Sequence, residues 1–244
     1  MTTLARIPRL HAEARLGSGA TVVPDRGQCH YLLHVMRLGE GGRARLFNGR
    51  DGEWLCTLTR AGKRCELTCD EKLADPAPPP DIDYVFAPLK HARLDYMAQK
   101  ATEMGVRRLR PVFTDHTVPK RVNTARLRAN AIEAAEQCNL VFVPEVLEPV
   151  RLDRLLEEWP RERRIIHCDE SAEVGNPVEA LRNIPEGPLA VLIGPEGGFS
   201  DRERALLRGL PFVHRISLGP RIMRADTAAV AALAVVQSVL GDWK

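Results

Sequence analysis

Several features are missing from these 244 residues. No apolar run reaches the roughly 20 residues a membrane-spanning helix needs. The longest, Ala228 to Val236, stops at Gln237. The opening Met1-Thr2-Thr3-Leu4-Ala5-Arg6 holds no apolar signal core, so a cytoplasmic protein with no membrane partner is expected. No pair among the six cysteines has C-x-x-C spacing, and no histidine follows Cys65 and Cys69 at finger-like spacing. Reduced, packed thiols and no metal are therefore expected. Lysine is scarce, at six of the 35 basic residues. Arginine's planar fork suits phosphates and base edges, although a GC-rich genome also raises arginine. Apolar material is ample: 44% hydrophobic against 27% charged excludes general disorder. Residues 1–75 carry 12 Lys+Arg and 9 Asp+Glu, and the remainder 23 of each, so the whole formal charge of +3 lies in the first third.

The proline run Asp75-Pro76-Ala77-Pro78-Pro79-Pro80 prevents helix and sheet pairing and reads as a stiff spacer. It divides residues 1–75 from residues 81–244, with 76–80 as linker. The first part reads as mostly β. Arg43 to Phe47 meets a turn at Asn48-Gly49-Arg50-Asp51-Gly52, and Glu53 to Leu58 then alternates polar and apolar residues. A short helix is expected over Gly27 to Leu38 on the stripe Tyr31, Leu32, Val35 and Leu38. A small barrel would close such a part. The second part alternates strand and helix, as in an α/β domain with a mainly parallel sheet. Strands are expected at Tyr84–Leu89, Leu109–Phe113, Arg164–Cys168, Leu189–Ile193 and Val213–Leu218. Helical stripes fall on Leu94, Met97, Ala98, Ala101 and Met104, on Leu127 to Cys138, from Asn176-Pro177, and on Thr227 to Leu240.

Two segments carry chemistry. Leu189 to Ile193 runs into Gly194-Pro195-Glu196-Gly197-Gly198-Phe199, and Ser200-Asp201-Arg202-Glu203 then reads as a capping box. A glycine loop between strand end and helix start lets a ligand approach the backbone, and α/β sheets bind ligands at that edge. A simple tight connection is the bland alternative. Leu218-Gly219-Pro220-Arg221-Ile222-Met223-Arg224 repeats the arrangement, followed by Ala225-Asp226-Thr227-Ala228, where Asp226 or Thr227 could cap a helix. Glu196 could equally be a charge that favours a helix N-terminus. Two such loops could close one pocket. The last helix is apolar almost all round, which either core packing or a subunit interface explains.

Together, Leu192 to Ser200 and Leu218 to Arg224 resemble the SPOUT methyltransferases. More narrowly they are similar to the ribosomal small subunit methyltransferase E family, which methylates uracil N3 in 16S rRNA. Lys90, Gln99 to Val106, Glu136-Gln137-Cys138 and Val143-Pro144-Glu145 match in order, and Arg6 to Arg9, His30 to Leu38 and Leu46 to Gly49 more loosely. The resemblance implies S-adenosylmethionine as cofactor, an α/β fold with a trefoil-knotted parallel-sheet C-terminal domain, a PUA-like N-terminal β-barrel and a homodimer. It implies 16S rRNA or the small ribosomal subunit as partner. Cofactor contacts would fall on Leu192, Ile193, Gly194, Pro195, Glu196, Gly197, Gly198, Leu218, Gly219, Arg221, Ile222, Met223, Thr227 and Ala228, with His167 and Cys168 at another strand end. Arg224 would stabilise charge developing on the uracil carbonyls, with Asp226 or Glu196 accepting the N3 proton. Arg6, Arg9, Arg37, Arg43 and Arg45, with Lys90 and Arg93, would hold RNA. Two places depart from the family pattern: Asn139-Leu140 stands where Gly-Arg is usual, and Ala225-Asp226-Thr227-Ala228 where Thr-Glu-Thr-Ala is usual. A same-fold enzyme acting on tRNA or 23S rRNA and a non-catalytic RNA-binding protein are the competing readings. A nucleotide hydrolase lacks its phosphate-loop lysine and metal ligands here.

Overall fold

The computed structural model describes residues 4–61, 64–90, 92–173 and 175–243. The chain divides into two compact units, Met1–Pro78 with Ala135–Val143, and Pro79–Ala134 with Pro144–Lys244. In the first unit, strands β1 (Arg9–His11), β2 (Thr21–Val22), β3 (Arg43–Phe47), β4 (Glu53–Ala61) and β5 (Arg64–Ala74) form one sheet in the order β1-β3-β4-β5-β2. The β1–β3 pair is parallel and the others antiparallel. The alternation read in β4 turns Cys56 and Leu58 inward, against Leu46, Leu67 and Cys69. Between β3 and β4, Asn48 Oδ1 accepts the amides of Arg50 and Asp51, which fixes the expected turn.

One expectation for this unit holds in part and one fails. The helix is only α1 (Arg26–His30), capped by Asp25 and Gln28, and it passes into a π-helical turn over Tyr31–Val35. Leu32 is buried but Val35 is 60% exposed, because the chain leaves the helix before the stripe is complete. The cysteines are not all reduced: Cys29 and Cys65 form a disulfide, which joins α1 to β5. Cys56 and Cys69 remain free and buried.

The segment Ala135–Val143 completes the first unit. Arg9 donates to the carbonyls of Ala135 (2.7 Å) and Leu140 (2.6 Å), and Glu136 accepts from His11 N. Arg9 also pairs with Glu53 and stacks over the Phe47 ring at 3.8 Å. Arg45 pairs with Glu53 too and reaches Asn139 Oδ1. Arg9 and Arg45 were expected to meet RNA phosphates. The first is buried and the second nearly so, and both are engaged by a buried carboxylate, so that expectation is corrected for these two. Asn139 has φ +55, a left-handed conformation that asparagine tolerates better than most residues.

The second unit contains β6 (Ile82–Phe86), α2 (Ala92–Glu103), β7 (Arg108–Phe113), α3 (Thr124–Gln137, whose last residues belong to the first unit), β8 (Glu145–Val146), β9 (Val150–Arg151), α4 (Leu152–Glu157), β10 (Arg164–Cys168), α5 (Pro177–Arg182), β11 (Leu189–Ile193), α6 (Asp201–Arg208), β12 (Val213–Ile216) and α7 (Ala225–Leu240). Its sheet is wholly parallel, in the order β12-β10-β11-β6-β7-β8, with β9 beside β7. Both β6 and β11 are buried along their full length, as central parallel strands require. Helix α7 packs on α2 and α5, and Gln237 at its end donates to Met104 O.

One charge lies inside the sheet. Asp83 on β6 is fully buried and accepts from Arg108 Nε (2.6 Å) and Arg110 Nε, while Arg163 Nη1 stands 3.5 Å away. Asp81, just before β6, takes a second bond from Arg108 and two from Arg163. Removing one partner of a buried ion cluster leaves the other charges uncompensated, which typically costs about 3–5 kcal/mol. Asp83→Ala is therefore expected to lower unfolding free energy in urea by about 3 kcal/mol or more. A loss below about 1 kcal/mol would show that this cluster does not hold the strands.

Candidate cofactor site

The order β12-β10-β11 brings three strand ends together at one edge. The loop after β11 and the loop after β12 flank the end of β10. They enclose a cavity of about 510 Å³, lined by residues 168–170, 193–199, 217–225 and Ala228. That volume is in the range of small-molecule sites. The walls are largely backbone, because glycine recurs where a side chain would collide. A Cβ on Gly194 would come within 2.7 Å of the Phe199 ring, and Gly198 has φ +67.

The first glycine loop is clamped from below. Ser200 caps α6, and Glu203 completes the capping box by accepting from Ser200 N at 2.9 Å. Glu203 is 2% exposed, and its other oxygen accepts from Asp115 N at 2.9 Å, in the loop after β7. Asp115 in turn accepts from Ser200 Oγ (2.7 Å) and Arg202 (3.2 Å), which hold its carboxyl down at about 2. His116 Nδ1 lies 3.0 and 3.1 Å from the carbonyls of Gly197 and Gly198. Carbonyls only accept, so this nitrogen carries the proton. On the β10 side, burial pushes Asp169 up, but Ser171 and Arg215 outweigh it and hold the carboxyl at about 2. Burial pushes the neighbouring Cys168 thiol up to about 12, so this lining group is a neutral thiol.

The expected cofactor and catalytic residues separate into two groups. Cys168, Ile193, Gly194, Pro195, Glu196, Gly197, Gly198, Leu218, Gly219, Arg221, Ile222, Met223, Arg224 and Ala228 line the cavity. His167, Leu192, Thr227 and Asp226 do not: Leu192 is sealed in the sheet and Thr227 is exposed on the first turn of α7. Neither Asp226 nor Thr227 caps α7. Its N-cap is Arg224, without a side-chain cap bond, because the backbone turns helical only at Ala225. Arg93 connects two of the expected groups, at 3.4 Å from Glu196 and 3.9 Å from Asp226. Arg224 is exposed, and its guanidinium has no ion-pair or hydrogen-bond partner among the described residues. Ile222 is 92% exposed, an apolar side chain standing open at the cavity. Sequence reasoning missed Asp115, His116 and Asp169. The register of parallel strands brings them to the edge, and no local motif marks them.

The family model for an RNA methyltransferase domain matches residues 76–237, and that for an RNA methyltransferase PUA domain matches residues 24–67. Ribosomal RNA small subunit methyltransferase E of Rickettsia conorii is 28% identical over 94% of each chain. The enzyme of the same name from Aquifex aeolicus is 31% identical over 76% of this chain and 81% of its own. A crystal structure of that methyltransferase from Neisseria gonorrhoeae, bound to S-adenosyl methionine, has a TM-score of 0.84 at 27% identity, covering 98% of this chain and all of its own. A Legionella pneumophila methyltransferase in complex with the same cofactor has a TM-score of 0.84 at 28% identity, covering 97% and 99%. Parallel sheet, paired loops and N-terminal sheet thus define the class: a two-part RNA methyltransferase of SPOUT type with a PUA domain. Within that class, the chain belongs to the ribosomal RNA small subunit methyltransferase E family.

His167 lies behind this cavity, packed edge-on against Phe199 at 4.9 Å. It is 1% exposed, and neither ring nitrogen has a hydrogen-bond partner among the described residues. Burial lowers it to about 4, so the folded protein keeps it neutral. The unfolded chain binds this proton near the ordinary value of about 6.5, and the folded chain only near 4. Stability from this group is full above pH 6.5 and falls as pH drops toward 4. Between pH 7.5 and 5 its share of the loss is about 2 kcal/mol. Urea unfolding of His167→Leu at both pH values is expected to lose less stability than the wild type by that amount. Equal losses would contradict the assignment.

Proposed function

We propose that this chain transfers a methyl group from S-adenosylmethionine to N3 of a specific uridine in 16S rRNA. The observation that carries this reading is the cavity between the two glycine loops, set in a chain that belongs to the family. The fit to the cofactor rests on the chain's own features. The volume suits a molecule of that size, Gly194, Gly197 and Gly198 leave their stretch of backbone without side chains, and Ile222 stands open to meet an apolar face. Residues 194–198, Leu218, Gly219 and Ile222 would hold it. When bound, it supplies an electrophilic methyl group on a sulfonium.

Uracil N3 becomes a good nucleophile only as its proton leaves, and the negative charge that results spreads onto the flanking carbonyls. Arg224, unpaired at the cavity wall, is placed to stabilise that charge. Of the two candidate proton acceptors, Glu196 lines the cavity and Asp226 does not, so Glu196 takes the proton. Arg93, which faces both carboxylates, orients Glu196, and Asp226 anchors Arg93. N3 lies on the Watson–Crick edge, so the uridine must be unpaired or flipped out.

The first unit holds the RNA. Arg6, Arg37 and Arg43 are exposed there, Arg43 beside Asp70. The active form is a homodimer, with the half-exposed apolar residues of α7, such as Val230, Ala234 and Val235, as the interface. It works in the cytoplasm, where ribosomes assemble. Among the described residues no helix is long and apolar enough to cross a membrane, and no group of His, Cys, Asp and Glu could hold a metal ion.

The direct test is mass mapping of 16S rRNA from cells lacking this protein, with and without complementation. Loss and recovery of one methyluridine is the expected result, and an unchanged map would overturn the proposal. In vitro, Arg224→Ala and Glu196→Gln are each expected to lower kcat by about 10²-fold or more while cofactor affinity by calorimetry stays within about twofold. Retained full turnover in either variant would remove that residue from the mechanism. RNA affinity is expected to fall steeply as salt rises from 50 to 200 mM, at about 0.7–0.9 log units per phosphate contact for each tenfold in salt.

A further inference from the structure

The second unit holds another cavity, of about 940 Å³, between the end of β6, the start of α2 and the segment 118–127 that leads into α3. It shares no lining residue with the cofactor cavity. Leu89, Leu94, Val118 and Val122 give it apolar walls, and Lys90, Lys120, Arg121 and Arg126 surround them with positive charge. The one carboxylate in the lining, Asp95, is already engaged by Arg126 at 2.9 Å and Asn130 at 2.8 Å. Lys90, Lys120 and Arg121 are exposed, and their side chains have no ion-pair or hydrogen-bond partner among the described residues. Many arginines of this chain are matched to a carboxylate, as at Asp81, Asp83, Asp115 and Glu53. Three unmatched cations gathered around one apolar hollow make a local concentration of positive charge.

That combination is the chemistry of a nucleotide site, with apolar surface for the face of a base and cations for the phosphates beside it. One residue links the cleft to the reaction centre. Arg93 N donates to Lys90 O, and the Arg93 side chain faces Glu196 and Asp226. We propose that this cleft seats a nucleotide of the substrate RNA that flanks the methylated one, with Lys120 and Arg121 on its phosphates. The proposal rests on the reading of the chain as an rRNA methyltransferase. Because the two cavities have no lining residue in common, a base held here is out of reach of the methyl group. It is recognised, and not modified.

The test compares the full-length wild type with K120S/R121S, K120R/R121K and V118D. Binding to a single-stranded RNA carrying the methylated site is followed by fluorescence anisotropy across a salt series, and cofactor affinity by calorimetry. K120S/R121S is expected to bind RNA about tenfold more weakly, with a log–log salt slope shallower by about 1.4. K120R/R121K keeps both, and V118D weakens binding because it sets a carboxylate in the wall. Cofactor affinity stays within about twofold throughout, which also reports that the fold is intact. RNA affinity and salt slope unchanged in K120S/R121S and V118D, while the wild type methylates 16S rRNA, would overturn this inference alone. A wild type that neither binds the RNA nor methylates 16S rRNA would overturn the functional reading, and this inference with it.

Discussion

The carboxylate of Glu203 is the constraint on which the cofactor site depends. It is buried in the first turn of α6, with one oxygen on the amide that opens the helix and the other on the amide of Asp115. A buried carboxylate without such partners would be costly, so its position is narrowly determined. Through it the start of α6 is tied to the loop after β7, while the sheet fixes the end of β11. The glycine loop between them has few side chains to hold its shape. It keeps that shape because both its flanks and two of its carbonyls are fixed from outside, the carbonyls by His116. A flexible sequence is thereby made into a preorganised surface without filling the space a ligand needs.

Arginine does two different jobs in this chain, and only the structure separates them. Arg9, Arg45, Arg108, Arg110 and Arg163 neutralise carboxylates that the fold has buried. Arg121 and Arg224 have no such partner among the described residues. The guanidinium fork is suited to both roles, since five donors can satisfy a buried carboxylate and neighbouring carbonyls at once, as Arg9 does. A count of basic residues therefore says little about how much positive charge a surface presents.

Much of the architecture was legible. Continuous apolar runs marked β6, β10 and β11, and Ser200 with Glu203 marked the start of α6, because those signals are local. The two glycine loops were legible as a pair, and the sheet order explains why they meet. What was not legible depends on register between distant strands. Asp83 lies just before the expected strand at Tyr84, and only its place in the sheet interior makes it the centre of an ion cluster. Arg9 was read as a surface cation because its acceptors lie beyond residue 130. Val35 followed a helical stripe that the backbone abandons for a π turn. Asp115, His116 and Asp169 carry no motif and reach the site by strand order alone.

The allocation of residues 135–143 has a consequence for the order in which the protein can be made. The first unit is not finished when its last strand leaves the ribosome, because the carbonyls that receive Arg9, and the carboxylate that receives the His11 amide, come from a stretch translated after α2 and β7. Until then the Arg9 guanidinium sits beside Glu53 with part of its donor set unfilled. The N-terminal sheet must wait in an incomplete form while residues 79–134 of the next unit emerge. A break at the proline run divides the chain as written, but it does not divide the chain as folded.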